Sequence, residues 1–168
     1  MSKVYGIFCD AALDTLLVGT GGTAGVPAQA RVGWHLPGGT ISGADFAGKS
    51  TPVPLIHLHG QLAREVAEEF GAQRARLLDR FMAAPLDRFG LPLGGHSVYF
   101  VLCQLNLPLR EFVGQVRDGA GGAADSSFDF VQAVGLLEAL DEFRANASTA
   151  WFAEGVKHLN KHKALLLS

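Results

Sequence analysis

The segment LHGQLAREVAEEFG, at residues 58–71, contains the clearest secondary-structure signal in this chain. Its large apolar residues recur every four positions, at Leu58, Leu62, Val66 and Phe70. This period is that of one buried face of an α-helix, and it predicts a helix over residues 55–70. Gly71 follows the helix at the position where a left-handed C-cap is usual.

Three carboxylates occupy the other side of the predicted helix. Glu65, Glu68 and Glu69 are three and four residues apart, so they lie on neighbouring turns and repel one another by a few tenths of a kcal/mol per pair. Two of them fall in the last turn, where the helix dipole disfavours acids by roughly 0.3–1 kcal/mol. The spacing alone leaves two interpretations open. One is a solvated acidic face partly compensated by Arg64, and the other is a site for a hard divalent cation such as Mg²⁺.

The sequence from Arg64 to Ala72, REVAEEFGA, resembles the second half of the Nudix box, R-E-U-x-E-E-x-G-U, where U is aliphatic. Upstream, LPGG at residues 36–39 resembles the Pro-Gly-Gly that ends a strand in this family. The family's next acid, a glutamate, falls on Asp45. Eighteen residues, 46–63, then precede Arg64, which is eleven more than the family has. Counting back from Arg64 without a gap puts Ile56 at the glutamate instead, so the first acid is either Asp45 or absent.

The resemblance implies an α/β/α sandwich with a mixed β-sheet. It also implies cleavage of a nucleoside diphosphate linked to another moiety, with Mg²⁺ or Mn²⁺ as cofactor. By position, Glu65, Glu68 and Glu69 would bind the metal and Arg64 would orient them. Gly38 or Gly39 would offer a carbonyl to the metal shell; we assign the metal to Gly39 and substrate contacts to Gly38 and Asp45. An alternative function is a non-catalytic Nudix-fold module that binds a nucleotide or a protein partner.

The general base stays open at this stage. In some relatives the first glutamate of the R-E pair serves, which is Glu65 here, and in others a carboxylate from a late loop serves. The late candidates are Glu111, Asp118, Asp125 and Asp129. A loop over residues 47–54, within the insertion, is predicted to shape substrate access.

Apolar runs and turn signals predict the remaining elements. Strands are expected over residues 3–9, 15–20, 31–36, 73–82, 96–105 and 128–135. Helices are expected over residues 136–144 and 148–163, the second capped by Ser148 or Thr149, and residues 106–127 are expected to include a glycine- and alanine-rich loop over 118–124. The length of 168 residues predicts one domain over 1–168.

Composition and charge exclude several classes of protein. The net charge of −2 argues against a strongly basic nucleic-acid binder, and no apolar stretch approaches the ~18 residues of a membrane span. Cys9 and Cys103 lie in apolar runs and predict buried thiols in a cytoplasmic protein.

Two features near the C-terminus complete the predictions. His158 and His162 have a metal-capable spacing, but their neighbouring lysines favour a solvated basic face. The apolar tail over residues 164–167 is expected to dock on its own domain or on a second subunit, as in a homodimer.

Overall fold

The computed structural model describes residues 2–20, 33–41, 55–70, 76, 82–93, 96–106, 108–118 and 130–168. The strands are β1 Ser2–Cys9, β2 Thr15–Thr20, β3 Gly38–Thr40, β4 Met82–Leu93, β5 His96–Leu105 and β6 Phe130–Gly135. The helices are α1 Leu55–Phe70, α2 Leu109–Asp118, α3 Leu136–Ala145 and α4 Ala150–Leu166, with a 3₁₀ turn at Ala147–Thr149 between the last two.

The strands form one mixed sheet in the order β4-β5-β1-β2-β6. The central strands β1 and β5 are parallel, while β1–β2, β2–β6 and β4–β5 are antiparallel. The short strand β3 pairs antiparallel with β1, on the side where β2 has separated from it. Strand β4 is at the edge of the described sheet, a position where proline is tolerated, and it contains Pro85 and Pro92.

Successive side chains of a strand point to opposite sides of the sheet. Apolar side chains lie on both sides here, and helices cover both faces. In β1, Val4 and Phe8 belong to a core shared with helices α1 and α2, which contribute Leu62 and Phe112. The intervening residues Tyr5, Ile7 and Cys9 belong to a second core shared with α3 and α4. The predicted α/β/α sandwich with a mixed sheet is therefore confirmed, whereas the extent of the domain over 1–168 stays a prediction.

The helix over residues 55–70 and the strands over 15–20 and 96–105 have the predicted bounds. The prediction for the third strand was wrong. Pro37-Gly38-Gly39 was expected to end a strand, but β3 begins at Gly38. The backbone N–H of Gly6 donates to the carbonyl of Pro37 at 2.8 Å, and Gly39 pairs with Val4. A Pro-Gly-Gly sequence breaks a strand only where no neighbouring backbone pairs with it, and here β1 does.

Three further elements differ from the predictions. Of the strand predicted over 73–82, the structure describes Arg76, which is helical, and Met82, which is the first residue of β4. Helix α2 lies where no helix was predicted; Leu109 and Phe112, one turn apart, are buried on one side of it. Helix α4 ends at Leu166, beyond the predicted end at residue 163.

The start of α4 also differs from the expected cap. Thr149 is the residue before the helix, but its hydroxyl makes no capping hydrogen bond there. It donates instead to the carbonyls of Phe143 and Asn146, at 3.1 and 3.2 Å. Thr149 therefore joins the end of α3 to the start of α4. Predictions that fall on residues 21–32, 42–54, 71–75 and 119–129 lie outside the described residues.

The C-terminal tail is only partly docked. Leu166 packs against the core under α3 and α4, whereas Leu165 and Leu167 are 72% and 47% exposed. The homodimer stays a prediction. Within the part of the chain that the structure describes, no helix is long and apolar enough to cross a membrane.

Helix α4 approaches the sheet closely at Gly155. A Cβ at this position would lie 2.6 Å from two carbon atoms of the Phe100 ring, which is completely buried. We expect Gly155→Ala to destabilise the protein by about 1–3 kcal/mol through overpacking, despite the better helix propensity of alanine. Chemical denaturation measures this effect. A Gly155→Ala/Phe100→Leu double variant should recover part of the loss, and a Gly155→Ala protein as stable as the wild type would contradict the close contact.

The thiols of Cys9 and Cys103 are buried and form no disulfide. Burial raises the pKa of both groups, that of Cys103 to about 12. Both folded-state pKa values therefore lie above the unfolded value of ~8.5. We expect the free energy of unfolding to be unaffected by these groups below about pH 8 and to fall as the pH rises above it, because the unfolded chain then loses these protons first. Urea denaturation at pH 7 and pH 10, with Cys103→Ala to isolate one thiol, measures the effect. Dithionitrobenzoate should label both thiols only after unfolding, and rapid native labelling would refute their burial.

Candidate active site

Strand β3 carries the two glycines of the Pro-Gly-Gly element, and each is required for a different reason. Gly38 has a φ of +148°, which residues with a side chain rarely adopt. A Cβ on Gly38 would also overlap the carbonyl oxygen of Val4 and lie 2.7 Å from the Cα of Tyr5. Gly38 therefore allows β3 to lie directly against β1.

Gly39 leaves room for the carboxylate of Glu65. A Cβ on Gly39 would overlap the Glu65 Oε2 atom and would lie 2.8 Å from Cδ and 3.3 Å from Oε1. Helix α1 packs over β3 and β1, and buried Leu62 and Val66 on either side of Glu65 hold this part of the helix on the sheet. The fold thus brings Glu65 of the REVAEEFG segment onto the Pro-Gly-Gly segment, 26 residues earlier in the sequence.

Glu65 is the more enclosed member of an ion pair with Arg64. Its side chain is 15% exposed, against 48% for Arg64, and Arg64 Nη2 lies 3.9 Å from Glu65 Oε1. The same Nη2 donates a hydrogen bond to Gln61 Oε1 at 2.5 Å. The predicted pairing of Arg64 with an acid of the helix is present for Glu65, but it is long and partly exposed. Such partly exposed pairs contribute at most ~1 kcal/mol to stability.

Gln61 is a residue that the sequence analysis did not consider. It precedes Arg64 by one helical turn, and its amide oxygen holds the guanidinium beside the Glu65 carboxylate. The i, i+3 spacing on a predicted helix was the signal that could have identified it.

For most of the other predicted site residues, the structure describes the backbone without the side chain, or neither. Glu68 and Glu69 lie in the last turn of α1, three and four residues after Glu65, and this turn contains no basic residue. Their side chains lie outside the described part of the structure, as does Asp45. Among the late candidates for the general base, Glu111 is exposed in the first turn of α2 and Asp118 is its last residue. Asp125 and Asp129 lie outside the described residues, and the choice of base stays open.

Helix α1 includes one of the two positions at which the first acid of the Nudix box could fall. The helix runs without interruption from Leu55 to Phe70. Ile56 is therefore already in the helix, eight residues before Arg64, at the position that gapless counting gives to the family's first glutamate. On that count an apolar residue stands where the family has an acid, while Asp45, the other position, lies outside the described residues.

The oxygen atoms near Glu65 are of the kind that the metal implied by the resemblance would bind. Mg²⁺ and Mn²⁺ take carboxylate and carbonyl oxygens. Glu65 presents such a carboxylate beside the backbone of Gly39, and the helical period puts Glu68 and Glu69 on its flank. The described side chains contain no group of three or more metal-binding residues, and those of Glu68 and Glu69 are not among them. By type and spacing, the residues fit a hard divalent cation.

Comparisons with known proteins gave matches among solved structures. One is a structure from work on MutT of Aliivibrio salmonicida and Vibrio cholerae, with 14% identity, a TM-score of 0.43 and coverage of 92% of this chain and 94% of the other. A second is the MutT protein of Methanosarcina mazei, with 17% identity, a TM-score of 0.47 and coverage of 96% and 95%. Both are MutT (Nudix) structures. No family model and no curated protein matches the chain.

Proposed function

We propose that the protein is a metal-dependent pyrophosphohydrolase of the Nudix type, which cleaves a nucleoside diphosphate linked to another moiety. The observation that carries the proposal is the contact between Glu65 and Gly39. Two separate parts of the chain that resemble the Nudix box meet in space, and the position of the carboxylate requires the glycine. A helix with a merely solvated acidic face would have no need of this arrangement.

The charge distribution of α1 supports the same proposal. The helix has no acid in its first turn and no base in its last, the reverse of what stabilises a helix by its dipole. A local arrangement that costs stability without evident compensation is expected at functional sites. A cation bound between Glu65, Glu68 and Glu69 would supply that compensation.

Each residue has a proposed role. Glu65, Glu68 and Glu69 would hold the cation, together with a carbonyl of the Gly39 region, and Arg64 and Gln61 position the Glu65 carboxylate. A bound Mg²⁺ or Mn²⁺ neutralises the diphosphate and activates water. Gly38 and Asp45 are the proposed substrate contacts. Glu65 is one candidate for the base that takes a proton from the attacking water, with Glu111, Asp118, Asp125 and Asp129 as the others.

The proposal is tested by release of phosphate or nucleotide from a panel of nucleotide sugars, dinucleoside polyphosphates, ADP-ribose and damaged nucleotides. We expect turnover of at least one member with Mg²⁺ or Mn²⁺ and none with excess EDTA. Folding of the same preparation is verified by its melting curve. Absence of turnover across the panel with folded protein would refute the hydrolase.

A non-catalytic nucleotide-binding or partner-binding module is the second candidate, and the register of α1 favours it. Ile56 at the position of the first acid removes one carboxylate from the box, and an enzyme that relied on that acid would be inactive. Under this alternative, nucleotides or a protein partner should bind in titration calorimetry without being consumed.

The binding partner, the oligomeric state and the cellular compartment are also part of the proposal. A small nucleotide is the proposed partner, with neither a nucleic acid nor a membrane involved, and a homodimer is proposed from the exposed Leu165 and Leu167. Cys9 and Cys103 remain reduced and buried, as is usual in the cytoplasm, which we propose as the compartment.

A further inference from the structure

Two histidines on the last helix lie outside the proposed active site and close to each other. His158 and His162 are one turn apart on α4, and their ring centroids are 4.4 Å apart with an interplanar angle of 42°. Both side chains are half-buried. The sequence alone favoured a solvated basic face here, but the structure brings the two imidazoles together over the sheet.

His158 is held in place by the edge strand. Its ring stacks on that of Phe89 in β4, with centroids 3.7 Å apart and an interplanar angle of 18°. Phe89 in turn stacks on the buried Phe100 of β5, at 5.1 Å and 19°. The imidazole therefore has a fixed orientation, which lowers the entropy that a ligand must remove on binding.

The separation of the rings suits a shared metal ion. An ion about 2.0–2.1 Å from one nitrogen of each ring lies about 3.2 Å from each centroid, so two imidazoles on adjacent coordination positions have centroids about 4.5 Å apart at a right angle and about 5.2 Å apart at a tetrahedral angle. The observed 4.4 Å is within a small side-chain rotation of these values. A metal-bound histidine uses one ring nitrogen for the ion and usually makes a hydrogen bond through the other.

The nearby charges do not prevent a cation from binding. Lys157 and Lys161 are exposed, so water screens them. Lys163 forms an ion pair with Asp14. His162 lies about one turn before the C-terminal end of α4, where the helix dipole is negative and favours a cation.

We propose that His158 and His162 form a binding site for a borderline transition-metal ion of the Zn²⁺ and Ni²⁺ class. Imidazole suits these ions, whereas the oxygen ligands proposed on α1 suit Mg²⁺. The described residues supply two ligands, and water fills the remaining positions. A bound ion links two turns of α4 and, through the His158–Phe89 stack, stabilises the helix against the edge strand.

Titration calorimetry with ZnCl₂ and NiCl₂ on the folded protein at pH 7.5 tests the proposal. We expect a 1:1 site that binds at least tenfold more weakly in His162→Ala and in His158→Phe, a variant that keeps an aromatic ring on Phe89 while removing the ligand. His59→Ala, a half-buried histidine on α1, is the matched control and should retain the site. The site should be lost at pH 5.5, where histidine is protonated.

Thermal melting gives an independent measurement. At a metal concentration 100-fold above the dissociation constant, the folding equilibrium shifts about 100-fold, which raises the melting temperature by roughly 5–10 °C for a domain of this size. His162→Ala should remove that rise and leave the effect of Mg²⁺ unchanged. A wild type that binds neither ion, or histidine variants that bind as tightly as the wild type, would overturn the proposal.

Discussion

Glu68→Gln and Glu69→Gln should each reduce hydrolysis of the diphosphate substrate by about 10²–10³-fold, because each removes a charge that holds the cation stabilising the transition state. The change is nearly isosteric, so the fold should persist. Initial rates at saturating Mg²⁺ measure the effect. Glu154→Gln, on the exposed side of α4, removes one carboxylate from another helix and should leave the rate unchanged.

The same variants should lose activity but gain stability in the absence of metal. Without metal, Glu68→Gln or Glu69→Gln removes an acid from the last turn of α1 and a like charge from its neighbours. The metal-free variants should therefore be more stable than the wild type by on the order of 0.3–1 kcal/mol. Mg²⁺ should raise the melting temperature of the wild type but much less that of the variants. Arg64→Ala should instead destabilise the metal-free protein, because it removes the compensating cation.

Melting curves with and without Mg²⁺ decide between a metal site and a solvated acidic face. Glutamine variants that gain as much from Mg²⁺ as the wild type, or that are less stable than the wild type without it, would show that this acidic cluster is not the metal site.

Gly39→Ala should have the second-largest effect, through the position of Glu65. The added methyl group would overlap the Glu65 carboxylate, which must rotate away from β3. We expect hydrolysis to fall by at least about 10²-fold, as for a displaced catalytic group, and Mg²⁺-dependent stabilisation to weaken. Both are measured on purified, folded protein.

Gly60→Ala is the matched control for this substitution. Gly60 is exposed within α1, and a Cβ there meets no atom within 4 Å. Alanine should raise the stability by about 0.5–1 kcal/mol through helix propensity and leave the rate unchanged.

A double-mutant cycle tests whether Gly39→Ala lowers the rate by displacing the Glu65 carboxylate. If Gly39→Ala acts by moving Glu65, it should reduce the rate little further in a Glu65→Gln background. Fully additive losses in the cycle, or a Gly39→Ala enzyme with wild-type activity, would contradict the contact on which the proposed function rests.

Helix α1, most of the sheet and the fold class could be predicted from the amino-acid sequence. Leu58, Leu62 and Val66 repeat with the helical period and bury one face, and the apolar run of β5 is long enough to be recognised without its neighbours. Periodicity is a local property, so it can be read from the chain. The same local spacing was sufficient to place Glu65, Glu68 and Glu69 on adjacent turns.

The structural role of Pro37, Gly38 and Gly39 could not be predicted from the sequence, because it depends on pairing with a distant strand. As a local signal they end a strand, but pairing with β1 makes Gly38 and Gly39 a strand, and the position of Glu65 requires Gly39. No helix was predicted at α2, and the contact of His158 with Phe89 joins residues 69 apart in the chain. Such contacts depend on which elements become neighbours in the sheet and its covering layers, and no local pattern encodes that choice.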